Sequence, residues 1–258
     1  MKVVLVTGAS SGIGKAAAIY FAAKGYAISI TARSGDGLAA TKRDCIAAGI
    51  KENCVVVTPG DLTLESTAEN VVRDTIDKLG SIDVLINNAG FAHAGPLATS
   101  TVEDFDKQMN LNLRSLHQLT RLVIPHLIKS KGSIVNVSSV GSLMPVPYAG
   151  FYCMSKAALD MYTKCLAQEL APHGVRCNSI NPGLVKTEFA VASGMCTPET
   201  VDAAYEQRAQ LSAMGRSAKP EEIAKSIYFL ASSASSFTTG TIMLVDGGRM
   251  LGPAQKTN

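Results

Sequence analysis

Short β-branched apolar runs alternate along the chain with longer stretches whose apolar positions recur at helical spacing. The runs are 3–6 (VVLV), 27–30 (AISI), 55–57 (VVV), 84–86 (VLI), 133–137 (SIVNV), 176–180 (RCNSI) and 242–245 (IMLV). Seven strands separated by helices predict a parallel sheet, because parallel neighbours need a crossover. Most runs are almost continuously apolar, which suits strands covered on both faces. Helices are predicted over 12–24, before Gly25, and over 64–79, before Gly80 at a C′ position. A third spans 101–130, where Thr101 caps a first turn holding Glu103 and Asp104. A fourth spans 151–171, ahead of Pro172 and Gly174, and Pro220 opens the last. The expected fold is a single-domain α/β unit over 1–258, a doubly wound sheet of seven parallel strands with helices on both faces. Segment 184–217, with Gly194, Pro198 and Gly215, breaks the rhythm after strand six and is expected to be a substrate-covering insertion.

Composition narrows the class. With 258 residues, 47 % apolar, 17 % charged and a net charge of +3, the chain is neither disordered nor collagenous. No apolar run approaches the roughly 18 residues of a membrane span. Lys and Arg are too scattered to predict nucleic-acid binding. Cys45, Cys54, Cys153, Cys165, Cys177 and Cys196 form no C-x-x-C pair and have no ligand spacing with histidine, so reduced thiols in or near the core, and no metal, are expected. Met1-Lys2 runs straight into the first strand, and Lys256-Thr257-Asn258 is neither a prenylation box nor a peroxisomal Ser-Lys-Leu ending; the expected location is cytoplasmic.

The first candidate chemistry lies between strand one and helix one, at Thr7-Gly8-Ala9-Ser10-Ser11-Gly12-Ile13-Gly14. Gly8 permits a tight turn, Gly12 lets backbone approach a pyrophosphate, and Gly14 allows close helix–strand packing. No Gly-Lys-Ser/Thr follows, which excludes a P-loop. Strand two ends Thr31-Ala32-Arg33-Ser34, without the carboxylate that would accept from an NAD ribose. Arg33 can instead bind a 2′-phosphate bidentately, so NADP(H) is expected over NAD(H).

Tyr152 and Lys156 stand four apart, on one face of a helix. A neighbouring ammonium favours the phenolate and is expected to lower the tyrosine pKa toward a useful range. Ser139, Asn87-Asn88-Ala89-Gly90 and Asn181-Pro182-Gly183 all fall at carboxyl ends of predicted strands, and so on one rim of the sheet.

Taken together, T-G-x-x-x-G-I-G, N-N-A-G, S-x₁₂-Y-x-x-x-K, N-P-G and the closing Val245-Asp246-Gly247-Gly248 resemble the short-chain dehydrogenases/reductases from Val3 to Gly248. The nearest likeness is to 3-oxoacyl-carrier-protein reductases and the glucose, tropinone and carbonyl reductases around them. The resemblance implies a Rossmann-type fold and hydride transfer between NADP(H) and a ketone, aldehyde or alcohol. By that likeness Tyr152 is the general acid or base, Lys156 its partner on the nicotinamide ribose, Ser139 the carbonyl anchor, and Asn112 the holder of a relay water. Asn112 is preferred to Asn110 because it lies thirteen residues before Pro125. The cofactor residues so implied are Gly8, Ser10, Ser11, Gly12, Ile13, Gly14, Arg33, Ser34, Asp61, Leu62, Asn88, Ala89, Gly90, Tyr152, Lys156, Pro182, Gly183, Val185 and Thr187. Asp61 and Leu62 would meet adenine, Asn88 to Gly90 the adenosine ribose, and Pro182 to Thr187 the nicotinamide. Met144 to Tyr148, Phe189, Met195 and Met214 are candidate pocket walls, which points to an apolar substrate; His93 is a candidate contact. The family also implies a homotetramer or homodimer packed through helices 101–130 and 151–171. A 3-oxoacyl thioester reductase is the alternative substrate reading. A non-catalytic NADP(H)-binding sensor and a methyltransferase are disfavoured by the intact Ser139, Tyr152 and Lys156.

Overall fold

A computed structural model describes residues 1–254; the C-terminal Lys256-Thr257-Asn258 lies outside it. The chain runs β1 (Val3–Thr7), α1 (Gly12–Ala23), β2 (Ala27–Thr31), α2 (Gly35–Ala47), β3 (Val55–Val57), α3 (Glu65–Leu79), β4 (Val84–Asn87) and α4 (Val102–Met109). It continues α5 (Leu116–Ser130), β5 (Ser133–Val137), α6 (Gly150–Leu170), β6 (Arg176–Pro182), α7 (Phe189–Ala192), α8 (Val201–Ala209), α9 (Pro220–Ala231) and β7 (Ile242–Val245). The strands form one sheet in the order 3-2-1-4-5-6-7, and every pairing is parallel.

Side chains alternate across the strands and build a core on each face. Val4 and Val6 of β1 join Ile28, Ile30, Phe21, Leu38 and Ile227 beneath α1, α2 and α9. Leu5 faces the other way, among Leu85, Ile134, Val71, Leu119, Leu127 and Leu166 beneath α3, α5 and α6. All residues of β1, β2, β4 and β5 are buried, whereas edge strand β7 is only partly covered.

The structure adds a helix to those predicted and interrupts another. The stretch after Arg33 is helix α2: Ser34 accepts from the Gly37 N–H at 3.1 Å, and Leu38, Thr41 and Cys45 turn inward. Helix 101–130 is interrupted by a π-helical turn over Asn110–Ser115. The cysteines are all free, but Cys165 is exposed on α6 rather than packed inside. No helix among the described residues is long and apolar enough to cross a membrane.

Candidate active site

The carboxyl ends of parallel strands share one edge of the sheet, and the predicted site residues gather there. At its centre is the turn after β1. Gly8 and Gly12 both take positive φ, 63° and 54°, where a side chain is strained. Gly14 is needed for space: a Cβ there would lie 2.4 Å from the Gly8 carbonyl oxygen and 2.5 Å from Asn88 Nδ2. Asn88 fastens the turn, donating from Nδ2 to the Thr7 and Gly8 carbonyls at 3.0 and 3.1 Å. The Thr7 hydroxyl accepts from the N–H groups of Asn88 and Ala89 at 2.9 and 3.0 Å. The Asn88 amide is thus committed to the turn, and sequence reading missed Thr7 as its anchor.

The start of α1 has the donors that a diphosphate requires. Ser11, its N-cap, makes no side-chain cap, and the first turn holds no acid. The N–H groups of Gly12, Ile13 and Gly14 therefore keep the unopposed positive end of the helix. Thr187 lies against this turn, its side chain 3.2 Å from where a Gly12 Cβ would stand. Tyr205 of α8 fixes Thr187, accepting from its N–H at 3.2 Å and donating to its carbonyl at 3.0 Å. Gly183 passes so close to Asp246 that a Cβ would meet its backbone at 2.8 Å. Pro182 is buried, and Val185 bridges to Ala218.

On the other side of the turn, α2 is docked directly on the glycine loop. Thr41 donates to the Ala9 carbonyl at 2.8 Å, and Gly37 leaves a Cβ only 2.8 Å from the Ser10 Cβ. Arg33 and Ser34 are exposed at the start of this helix, and Arg33 makes no ion pair or side-chain hydrogen bond among the described residues. Asp61 keeps one oxygen on the Thr63 N–H and hydroxyl, at 2.9 and 2.8 Å, while Leu62 is buried beside it.

The structure brings Asn112, Ser139, Tyr152 and Lys156 to the same rim. Lys156 is buried and donates from Nζ to the Val137 carbonyl at 2.8 Å, with Nζ 5.6 Å from the Tyr152 ring centroid. Gly90 leaves room between them: a Cβ there would sit 3.2 Å from Asn112 Oδ1 and 3.7 Å from Lys156 Nζ. The π-helical turn carries Asn112, whose Nδ2 donates to Ser155 Oγ and the Phe91 carbonyl, both at 3.0 Å. Its Oδ1 accepts from the Phe91 N–H at 3.1 Å. Gln108, fully buried and unnoticed in the sequence, grips the same loop. It donates to the Phe91 carbonyl at 2.8 Å and accepts from the His93 N–H at 2.7 Å.

Electrostatically the pair departs from expectation. Burial pushes the Tyr152 phenol up to about 12, and the Ser139 hydroxyl beside it acts in the opposite direction. Burial brings Lys156 down to about 8, opposed by the charge of Asp160. The ammonium does not lower the phenol here, because Lys156 is turned to the Val137 carbonyl and desolvation dominates both groups.

Around them the surfaces are apolar. The Phe189 ring stands 5.9 Å from that of Tyr152, and Phe151 packs edge-on against Phe105 at 5.4 Å. Tyr148 and Leu143 are exposed, Met144, Val146 and Met195 partly buried. Met214 lies against Gly247, held by its N–H to the Gly247 carbonyl at 2.9 Å. His93 faces Asp104 at 3.8 Å and Phe151 at 6.1 Å.

The chain is similar to known proteins over nearly its whole length. Residues 8–249 match the family described as enoyl-(acyl carrier protein) reductase. A 3-oxoacyl-[acyl-carrier-protein] reductase of Thermotoga maritima is 36 % identical over 97 % of this chain and 98 % of its own. A meso-2,3-butanediol dehydrogenase of Serratia marcescens is 34 % identical over 96 % of this chain and 94 % of its own. A Caenorhabditis elegans short-chain dehydrogenase/reductase, crystallised with cofactor, superposes with a TM-score of 0.92. It is 37 % identical, over 97 % of this chain and 95 % of its own.

Proposed function

Since the chain belongs to the short-chain dehydrogenase/reductase family of oxidoreductases, which act with a nicotinamide cofactor, we propose that it uses NADP(H) to reduce apolar ketones or aldehydes, or to oxidise the corresponding alcohols. The observation that carries this reading is the meeting of Ser139, Tyr152 and buried Lys156 beside an uncapped helix N-terminus.

When bound, the cofactor supplies or accepts the hydride at the substrate carbon. The α1 N–H groups hold its diphosphate. Arg33 and Ser34, with no NAD-type carboxylate at the end of β2, hold a 2′-phosphate. Asp61 and Leu62 take the adenine side, and Pro182, Gly183, Val185 and Thr187 the nicotinamide side. Ser139 Oγ already accepts from the Gly141 N–H at 3.0 Å, which leaves its own proton free to donate to a substrate oxygen. Tyr152 gives its phenolic proton to that oxygen in reduction and takes it back in oxidation. A phenol held near 12 stays protonated at neutral pH and is ready as an acid. Lys156, near 8, exchanges protons close to neutrality and restores the phenol, with Asn112 holding the relay water.

Phe189 and the loop over 143–148 favour an apolar substrate, with segment 184–217 covering it. The likeness to an acyl-thioester reductase supports a 3-oxoacyl thioester as the second reading. Met154 and Met161, 48 % and 58 % exposed on α6, support pairing with a second copy of the chain through α4 to α6. The test is NADPH oxidation across a panel of ketones, aldehydes and acyl thioesters, with Tyr152→Phe alongside. Turnover should fall by about 10²–10⁴ while the NADPH Kd is unchanged. Near-normal turnover of the variant would refute the assignment.

A further inference from the structure

Asp160 is a buried carboxylate with no part in the chemistry above. It lies on α6 one helical turn beyond Lys156. No cation contacts it among the described residues; its partners are neutral. Asp160 Oδ1 accepts from Ser179 Oγ at 3.0 Å, and Oδ2 from Asn181 Nδ2 at 2.7 Å. Asn181 Nδ2 also reaches the Ser139 carbonyl at 3.0 Å and Ser142 Oγ at 2.8 Å. Ser142 Oγ in turn donates to the Ser139 carbonyl at 2.8 Å. One carboxylate therefore stands behind both ends of the site, the serine and the lysine.

We propose that Asp160 is a positioning residue: through Asn181 it fixes the backbone that presents Ser139, and its charge is the counter-charge of Lys156. A carboxylate that merely stabilised the fold would be a poor choice here, since burying a charge without a cationic contact is costly. The groups facing Lys156 are Tyr152 on its own helix, the Val137 carbonyl from β5, and the neutral Asn112 and Gly90. Those facing Asp160 from β6 and the turn after β5 are the neutral Ser179, Asn181 and Ser142. Among the described residues Asp160 is thus the one negative charge acting on the amine, and its effect is upward.

The inference rests on the assignment of Ser139 and Lys156 above, but its main test reads the amine itself rather than turnover. Asp160→Asn removes the charge and keeps the bonds. Its amide oxygen can accept from Asn181, while its amide nitrogen donates to Ser179 Oγ, which still has Asn181 Oδ1 as an acceptor at 2.9 Å. In the full-length protein labelled with ¹⁵N-lysine, the Lys156 Nζ signal, identified by its loss in Lys156→Met, is followed with pH. In Asp160→Asn its midpoint should fall by about one pH unit, a tenfold change in the ionisation constant. Asp160→Glu should restore it. A fall of less than about half a unit, or no restoration by glutamate, overturns the electrostatic half of the proposal. The positioning half is read from kcat: Asp160→Ala, which also frees Asn181, should be slower than Asp160→Asn by about tenfold at equal NADPH Kd. Equal kcat in the two variants overturns it.

Discussion

Replacing Gly14 by alanine places one methyl group where the turn after β1 has no room. The new Cβ would stand 2.4 Å from the Gly8 carbonyl oxygen and 2.5 Å from Asn88 Nδ2. Neither neighbour is a free side-chain end: the first is backbone, and the second is held by two hydrogen bonds to β1 and the turn. Overpacking of this kind costs about 1–3 kcal/mol. Displacing Asn88 loses two hydrogen bonds at about 1 kcal/mol each. Alanine recovers about 1 kcal/mol because it is the better helix former. The net loss is about 2–4 kcal/mol, or roughly 5–15 °C in Tm for a domain of this size. Gly25→Ala is the control. Nothing lies within 4 Å of its Cβ, and only its φ of +79° opposes the change, at about 1–2 kcal/mol. Urea melts of both variants should show the larger loss at Gly14. Titration with NADPH, followed by fluorescence, should show weakened binding at Gly14 and unchanged binding at Gly25. A Gly14→Ala protein as stable as the parent, or one with undiminished nucleotide affinity, refutes the account of the turn.

Other outcomes follow from the same geometry. Arg33→Ala should raise KM for NADPH by about 10–100-fold, the worth of charge-assisted hydrogen bonds, and leave NADH nearly unaffected; an unchanged cofactor preference ends the 2′-phosphate role. Lys156 titrates near 8 in the folded chain and at its ordinary 10.5 when unfolded. Between those values the unfolded state binds more protons, so this residue makes stability rise with pH and contributes no slope below about 8. Lys156→Met should flatten that rise in urea melts recorded from pH 8 to 10; an identical pH dependence in both proteins refutes the lysine's depressed pKa.

Much of this was readable from the chain. All seven strands are legible, most because a strand covered on both faces must be apolar almost throughout; β6 carries Asn178, Ser179 and Asn181, and edge strand β7 is only partly covered. The rim residues follow, since parallel strands end on one edge. Helix α2 escaped notice because Gly35-Asp36-Gly37 looks like a loop, and only Leu38, Thr41 and Cys45 are buried. The π-helical turn left no mark, as the apolar spacing of 101–130 is that of an ordinary helix. Gln108 and Asp160 were invisible for another reason. A lone polar residue on a helix normally faces water, and their partners lie 15 to 21 residues away along the chain. The raised tyrosine pKa is not legible because sequence shows that a lysine is near but not how dry the pair is.

The strand order carries a consequence for biosynthesis. Strand β1 is an interior one, seated between β2 and β4. It gains a neighbour on one side within some twenty residues, but its other edge stays bare until Val84–Asn87 has been made. A nascent chain paused in that interval presents an apolar, unpaired edge, the form most open to capture by another strand. Chaperone demand should therefore peak in that interval, before Ser139 and Tyr152 have been made.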